Sequence, residues 1–128
     1  YIPVKGLAEA LKRNGIECAD DRDGSVHIGI TGVDCAVAST ASLVVESGEG
    51  KSRMVSLLPY VHIAIIRSDQ LVPNLEDWYK RQSAQGLTAF NTASMTNIIT
   101  GPSRTADIGM ELVLGAHGPA ELHCILIG

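Results

Sequence analysis

Cysteine is scarce. Cys18, Cys35 and Cys124 are odd in number, widely spaced and free of any C-x-x-C pair. Neither a disulfide framework nor a complete iron-sulfur or zinc ligand set is written in the chain, and the three read as ordinary reduced thiols. Long apolar runs are lacking too: nothing approaches the roughly 20 residues of a membrane-spanning helix, and no basic segment followed by an apolar core opens the chain. Clustered positive charge is also missing. The ten Lys and Arg are scattered and the net charge is -4, whereas affinity for phosphate backbones comes from grouped cations. These absences argue against nucleic acid and membrane as partners and leave proteins or small molecules met in the cytoplasm. There are no repeats and no low-complexity tracts.

What remains is the balance of a globular chain, 128 residues with 45% hydrophobic and 19% charged, for which one domain is the default. Tyr1 stands where a natural chain normally carries Met, so further sequence upstream is expected. Val4, Leu7 and Leu11 recur at three and four residues and predict a short helix ended by Asn14-Gly15. Val26, Ile28 and Ile30 alternate with His27 and Gly29, which predicts a half-buried strand with the isoleucines inward, broken by Thr31-Gly32. Cys35 to Ala38 and Leu43 to Val45 read as two short strands around a tight polar turn, Ser39 to Ser42. Tyr60 to Ile66 is almost continuously apolar and β-branched, as a central strand of a partly parallel sheet would be.

Pro73-Asn74 before Glu76 and Asp77 marks a helix start, because Asn accepts a backbone N-H and the two acids sit at the positive end of the helix dipole. Leu75, Trp78, Tyr79 and Gln82 are expected on its inner face, with Gly86 ending it. Asn97 to Thr100, Leu112 to Leu114 and Leu122 to Ile127 are further strand candidates.

Two segments carry chemistry. In TGPSRTADI, Thr100 to Ile108, a strand meets Gly101-Pro102 and then Ser103, Arg104, Thr105 and Asp107 in quick succession. As a strand-to-helix turn it would expose unpaired N-H groups, and the hydroxyls with the guanidinium would complete a cradle for phosphate or carboxylate. The competing reading is that Ser103 or Thr105 caps that helix while Asp107 satisfies nearby backbone. In GAHGPAELH, Gly115 to His123, His117 stands before Gly118 in a turn, either as a general acid or base or as a turn residue bonded to backbone. His62, inside the apolar strand, reads as a satisfied core histidine. A metal set of His62, His117 and His123 has no ligand spacing behind it, and no metal or cofactor is expected.

The segments LLPYVHIAII (Leu57 to Ile66), Leu71-Val72-Pro73-Asn74-Leu75, TGPSRTADI and LVLGAHGPAELHCILI, in this order and spacing, resemble the LUD-domain family of the lactate-utilisation protein C type. The resemblance runs from about Gly29 to Ile127. It implies an α/β fold with a mainly parallel sheet flanked by helices, similar to the sugar-phosphate isomerase and CoA-transferase superfamily. It further implies a single LUD domain over residues 1–128 lacking an N-terminal helical segment, whose apolar surface would then be exposed or buried in a homo-oligomer.

The setting implied is a non-redox, accessory role in oxidising L-lactate to pyruvate beside iron-sulfur partner proteins. The alternative is an enzyme acting on a small anion or CoA ester, with Gly101, Ser103, Arg104, Thr105, Asp107, His117 and Gly118 around the ligand and His117 or Asp107 moving a proton. One departure bears on that alternative: the family usually reads A-E-T-G-T where this chain has Ala38-Ser39-Thr40-Ala41-Ser42. Ser39 cannot act as a carboxylate base, nucleophile or metal ligand.

Overall fold

The chain begins with helix α1 (Leu7–Arg13) and runs through strands β1 (Ile28–Gly32), β2 (Cys35–Val37) and β3 (Ser42–Ser47) to a single turn of helix, α2 (Met54–Leu57). Strands β4 (Val61–Arg67) and β5 (Leu71–Val72) precede helices α3 (Leu75–Ala84) and α4 (Thr88–Thr92). Strands β6 (Met95–Ile99), β7 (Arg104–Ala106), β8 (Leu112–Leu114) and β9 (Glu121–Ile127) complete it. These elements come from a computed structural model that describes residues 2–20, 23–106 and 112–128, with Ala89 and Phe90 described by their backbone only.

Strand β4 is central, as its unbroken apolar run predicts. It pairs in parallel with β1 on one side and with β9 on the other, so that Ile28, Gly29 and Ile30 stand opposite Val61, His62 and Ile63, and these opposite Glu121, Leu122 and His123. The β2–β3 hairpin turns at residues 38–41, where Ala41 adopts φ 51°. This hairpin founds a second sheet in the order β5-β2-β3-β6, antiparallel except for the β2–β5 pairing. Strands β7 and β8 form a separate antiparallel ribbon. The parallel ladders carry more paired residues than the antiparallel ones, and the architecture is α/β with a mainly parallel sheet flanked by helices.

Two cores hold the layers together. Between the sheets, Val33, Ala36, Leu43 and Val45 meet Ala64 and Ile66 of β4, with Ile99 and Leu122 packed against them. On the far face of the second sheet, Cys35, Val37, Val44 and Val72 bury Trp78 of α3. Alternation along β2 and β3 sends successive side chains to these two cores, which is why almost every residue of the two strands is buried.

Helix α3 begins and ends as its sequence predicts, whereas α1 starts only at Leu7 and leaves Val4 of the expected stripe outside it. The Asn74 side chain accepts the Asp77 N-H at 2.9 Å, Glu76 and Asp77 occupy the first turn, and Gly86 follows the C-cap at φ 69°. Helix α1 ends at Asn14, with Gly15 at φ 79°.

Three expectations need correction. Only Trp78 of the expected apolar face of α3 is buried; Leu75 and Tyr79 are exposed, because the helix touches the sheet through one narrow line of contact near β2 and β5. Thr31 and Gly32 do not break β1 but belong to it. The phase of that strand is also the reverse of the one expected: Gly29 and Thr31 point into the protein while Ile28 is 48% exposed. The reason lies in α2, whose Val55 carbonyl and following Pro59 ring press against Gly29 so closely that a Cβ would collide with both. Only glycine lets the helix approach.

Gly29→Ala should therefore destabilise the protein by about 1–3 kcal/mol, the usual cost of forcing atoms into a packed contact. Ile28→Ala, on the open face, should cost less than that; urea unfolding of the two variants checks the order.

Candidate functional site

Along the inner faces of β4, β6 and β9, residues two apart run from the core into a cleft. Ala64 and Ile66 of β4 lie in the core, and His62 on the same face lines the cleft. On β6, Ile99 packs against the core and Asn97 stands two residues further out. Ser56 of α2 and Leu122 of β9 contribute to the same walls, enclosing about 440 Å³. A second hollow of about 30 Å³ beside the Lys51–Asp34 ion pair has room for no more than a water.

The rim is made by the two segments that the sequence marks. Ser103 clasps them: its N-H donates to the Pro119 carbonyl at 2.7 Å, its carbonyl accepts from the Gly115 N-H at 3.0 Å, and its hydroxyl accepts from the His117 N-H at 3.3 Å. Gly118 lies so close to Ser103 that an added Cβ would be in van der Waals contact with it. The N-H groups of Ala120 and Glu121 both donate to the Tyr60 carbonyl, at 2.8 and 3.2 Å, fixing this turn to the start of β4. Gly101, Ser103, Arg104, Thr105, His117 and Gly118 all line the one cleft. Asp107 lies outside the described residues.

No helix starts at Ser103. Arg104 to Ala106 is a strand paired with β8, so both the helix-terminus cradle and the helix-cap reading fall. The reason is tertiary: the backbone groups of Ser103 are taken by the Gly115–Pro119 turn rather than left for a helix. What remains for an anion is exposed Arg104, with Ser103 and Thr105 on the same cleft lining.

Thr40 is linked to the rim indirectly. Its hydroxyl bonds that of Ser42 at 2.7 Å, which bonds that of Thr100 at 2.8 Å. Ser39 is exposed, and its N-H donates to the Pro73 carbonyl. His123 does not join His62 and His117: it alternates with cleft-lining Leu122 along β9 and is exposed, with Nε2 at 3.1 Å from Glu121.

Sequence reasoning leaves Asn97 unmarked and takes His62 as a core histidine rather than a ligand. His62 is 1% exposed and its Nε2 lies 2.8 Å from the Thr31 hydroxyl, so the expectation of a core histidine holds for half of the ring. Its Nδ1 has no hydrogen-bond partner among the described residues, and neither has Asn97 Nδ2. Burial disfavours the imidazolium and pushes the His62 pKa from the ordinary 6.5 down to about 4, leaving a neutral ring at physiological pH. Burial likewise raises the Cys35 thiol, which stays protonated beneath α3.

The LUD domain model matches residues 4–127, nearly the whole chain. The chain belongs to the LUD-domain family. Among its relatives, lactate utilization protein C of Halalkalibacterium halodurans is 37% identical over 130 residues, covering 95% of this chain and 56% of the relative. The protein of the same name from Bacillus velezensis is 41% identical over 104 residues, covering 79% of this chain and 42% of the relative. This LUD-family chain thus spans about half the length of the curated relatives it matches. A crystal structure of a DUF162 family protein from Deinococcus radiodurans shares the fold, with a TM-score of 0.56 and 20% identity over 86% of this chain and 59% of that one.

The buried ring gives this LUD-family chain a pH-dependent stability. Unfolded, His62 takes a proton near pH 6.5; folded, it does so only near pH 4. Its contribution is therefore intact above about pH 6.5 and is lost as pH falls towards 4, by about 3 kcal/mol in all. His62→Gln, which removes the titration, should narrow its stability deficit against the wild type by that order between pH 7 and 4, measured by urea unfolding at each pH.

Proposed function

We propose that this chain is the LUD domain of a lactate-utilisation protein and that its cleft binds a small anion, a carboxylate or phosphate, through Arg104. The observation that carries the anion reading is that Arg104 brings the one formal positive charge to the described lining of the cleft, which Ser103 and Thr105 also line. A guanidinium offers two parallel N-H donors to such a group. The lactate setting rests on the names of the relatives.

Within that setting the domain acts as an accessory, non-redox component, with iron-sulfur proteins of the lactate-oxidising system as its partners. His117 supports a second reading: it lines the same cleft as Arg104. A proton-moving enzyme of small carboxylates would need such a group within reach of the bound anion. The replacement of the family's usual acid by Ser39 weighs against a mechanism built on a carboxylate at that turn.

The deciding experiment is thermal denaturation with millimolar L-lactate, pyruvate or phosphate, in the wild type and in Arg104→Ala. At least one of these anions should raise the wild-type melting temperature, and losing the charge-assisted bond should weaken its affinity about tenfold or more. No shift with any anion, or equal shifts in both proteins, would remove the anion site. Co-purification of the full-length protein with iron-sulfur proteins tests the accessory role separately: consistent absence from such complexes, with unimpaired growth on lactate after deletion, would end it.

A further inference from the structure

Strand β9 closes its sheet on one side and leaves an edge open. It pairs with β4, and among the described residues no strand lies against its other edge. Such an edge is a row of unspent N-H and C=O groups, which proteins ordinarily blunt with a short strand, a Lys, a Pro, a bulge or a cover. The opposite end of the sheet is blunted: β1 is mostly buried and α2 presses against it. Residues 121–127, Glu-Leu-His-Cys-Ile-Leu-Ile, carry none of these devices. The strand is seven residues long and pairs with β4 without interruption from Glu121 to Ile127. Five of the seven are exposed, among them Ile125 at 47% and Leu126 at 60%.

The direction of the backbone groups limits what can fill this edge. The Glu121 N-H is spent on the Tyr60 carbonyl, just before β4. Hydrogen-bonding direction alternates along a strand, so Leu122, Cys124 and Leu126 turn their N-H and C=O groups outward. We propose that this edge pairs with the same edge of a second copy of the chain, antiparallel about a two-fold axis at Cys124, joining two three-stranded sheets into one.

The symmetry of the strand argues for that occupant. Centred on Cys124, every residue from Glu121 to Ile127 gains an opposite number: Cys124 faces its own copy, Leu122 faces Leu126 of the second copy, and His123 faces Ile125. The three residues with outward groups then meet one another as hydrogen-bonded pairs, each exchanging both bonds. A shift of the axis to either side leaves strand ends unpaired. Charge favours the same arrangement. Glu121 stands about 20 Å from its copy, at a rise of about 3.3 Å per residue, which is beyond the Debye length of about 8 Å at physiological salt. A parallel pairing in register would instead set the two acids against each other. One strand per partner is less than the roughly 20–30 residues a side of a standard interface, so the dimer is a weak one that forms as concentration rises.

Sedimentation velocity of the chain from micromolar to millimolar concentration provides the test. Monomer should give way to dimer, with little dependence on salt. Leu126→Lys, which places a charge on the edge, should raise the dissociation constant about tenfold or more. Because Leu126 is already exposed in the monomer, the urea midpoint of this variant should match that of the wild type. In a Cys18→Ser background, a short bis-maleimide should join two chains through Cys124, since opposite residues of an antiparallel pair have Cα atoms about 5.5 Å apart. Cys124→Ser in the same background should lose the crosslink and still dimerise. A chain that stays monomeric at millimolar concentration, a dimer as tight in Leu126→Lys as in the wild type, or a crosslink that survives Cys124→Ser overturns the proposal.

Discussion

The meeting of the two sheets over β4 is the contact on which the remaining structure depends. Strand β4 lends its hydrogen-bonding edges to β1 and β9 and its inner side chains, Ala64 and Ile66, to the core shared with the second sheet. A small residue at Ala64, with no measurable exposure, lets Leu43 and Val45 come down onto the strand. The same contact explains Gly29, since β1 and α2 must fit into the space beside the sheet interface without a side chain between them. Close packing of this kind is stiff, and it gives the elements around it little freedom to shift.

The cleft begins where that packing stops. Apolar side chains fill the face of β4 and β6 as far as Ala64 and Ile99, and at the next inward position each strand changes to a polar residue, His62 and Asn97. A polar change on a buried face costs free energy unless the groups find partners, and Thr31 supplies one for His62. The rim is held by a different device. Ser103 engages the Gly115–Pro119 turn through backbone and hydroxyl together, so that the Arg104 strand and the His117 turn share one wall although ten or more residues separate them in sequence.

The open face of the parallel sheet is less finished. Ile28 of β1 and Ile125 of β9, on either side of β4, are each nearly half exposed. The chain spans about half the length of its curated relatives.

Much of the fold was legible because local chemistry dictates it. Asn74 and the acids after it start α3, Gly15 and Gly86 end helices, and the apolar run of β4 announces a covered strand. The family-bearing segments also named most of the rim by position. Legibility failed where a residue's environment came from distant chain: the phase of β1 was inverted by the approach of α2, and Arg104 to Ala106 became a strand because a turn more than ten residues after Ser103 took the backbone groups of that residue.

By itself the sequence determined the order of the principal strands, the end of α1 and both ends of α3, and, through the family it resembles, the α/β class. Periodicity, capping and turn preferences act over a few residues and need no knowledge of what lies across the core. Only the tertiary structure decided that His62 is buried with one ring nitrogen satisfied, that Asn97 lines the same cleft, and that Arg104 reaches the rim from a strand. Hydrogen-bond satisfaction and burial are properties of groups brought together in space, and the partners here come from separate sheets.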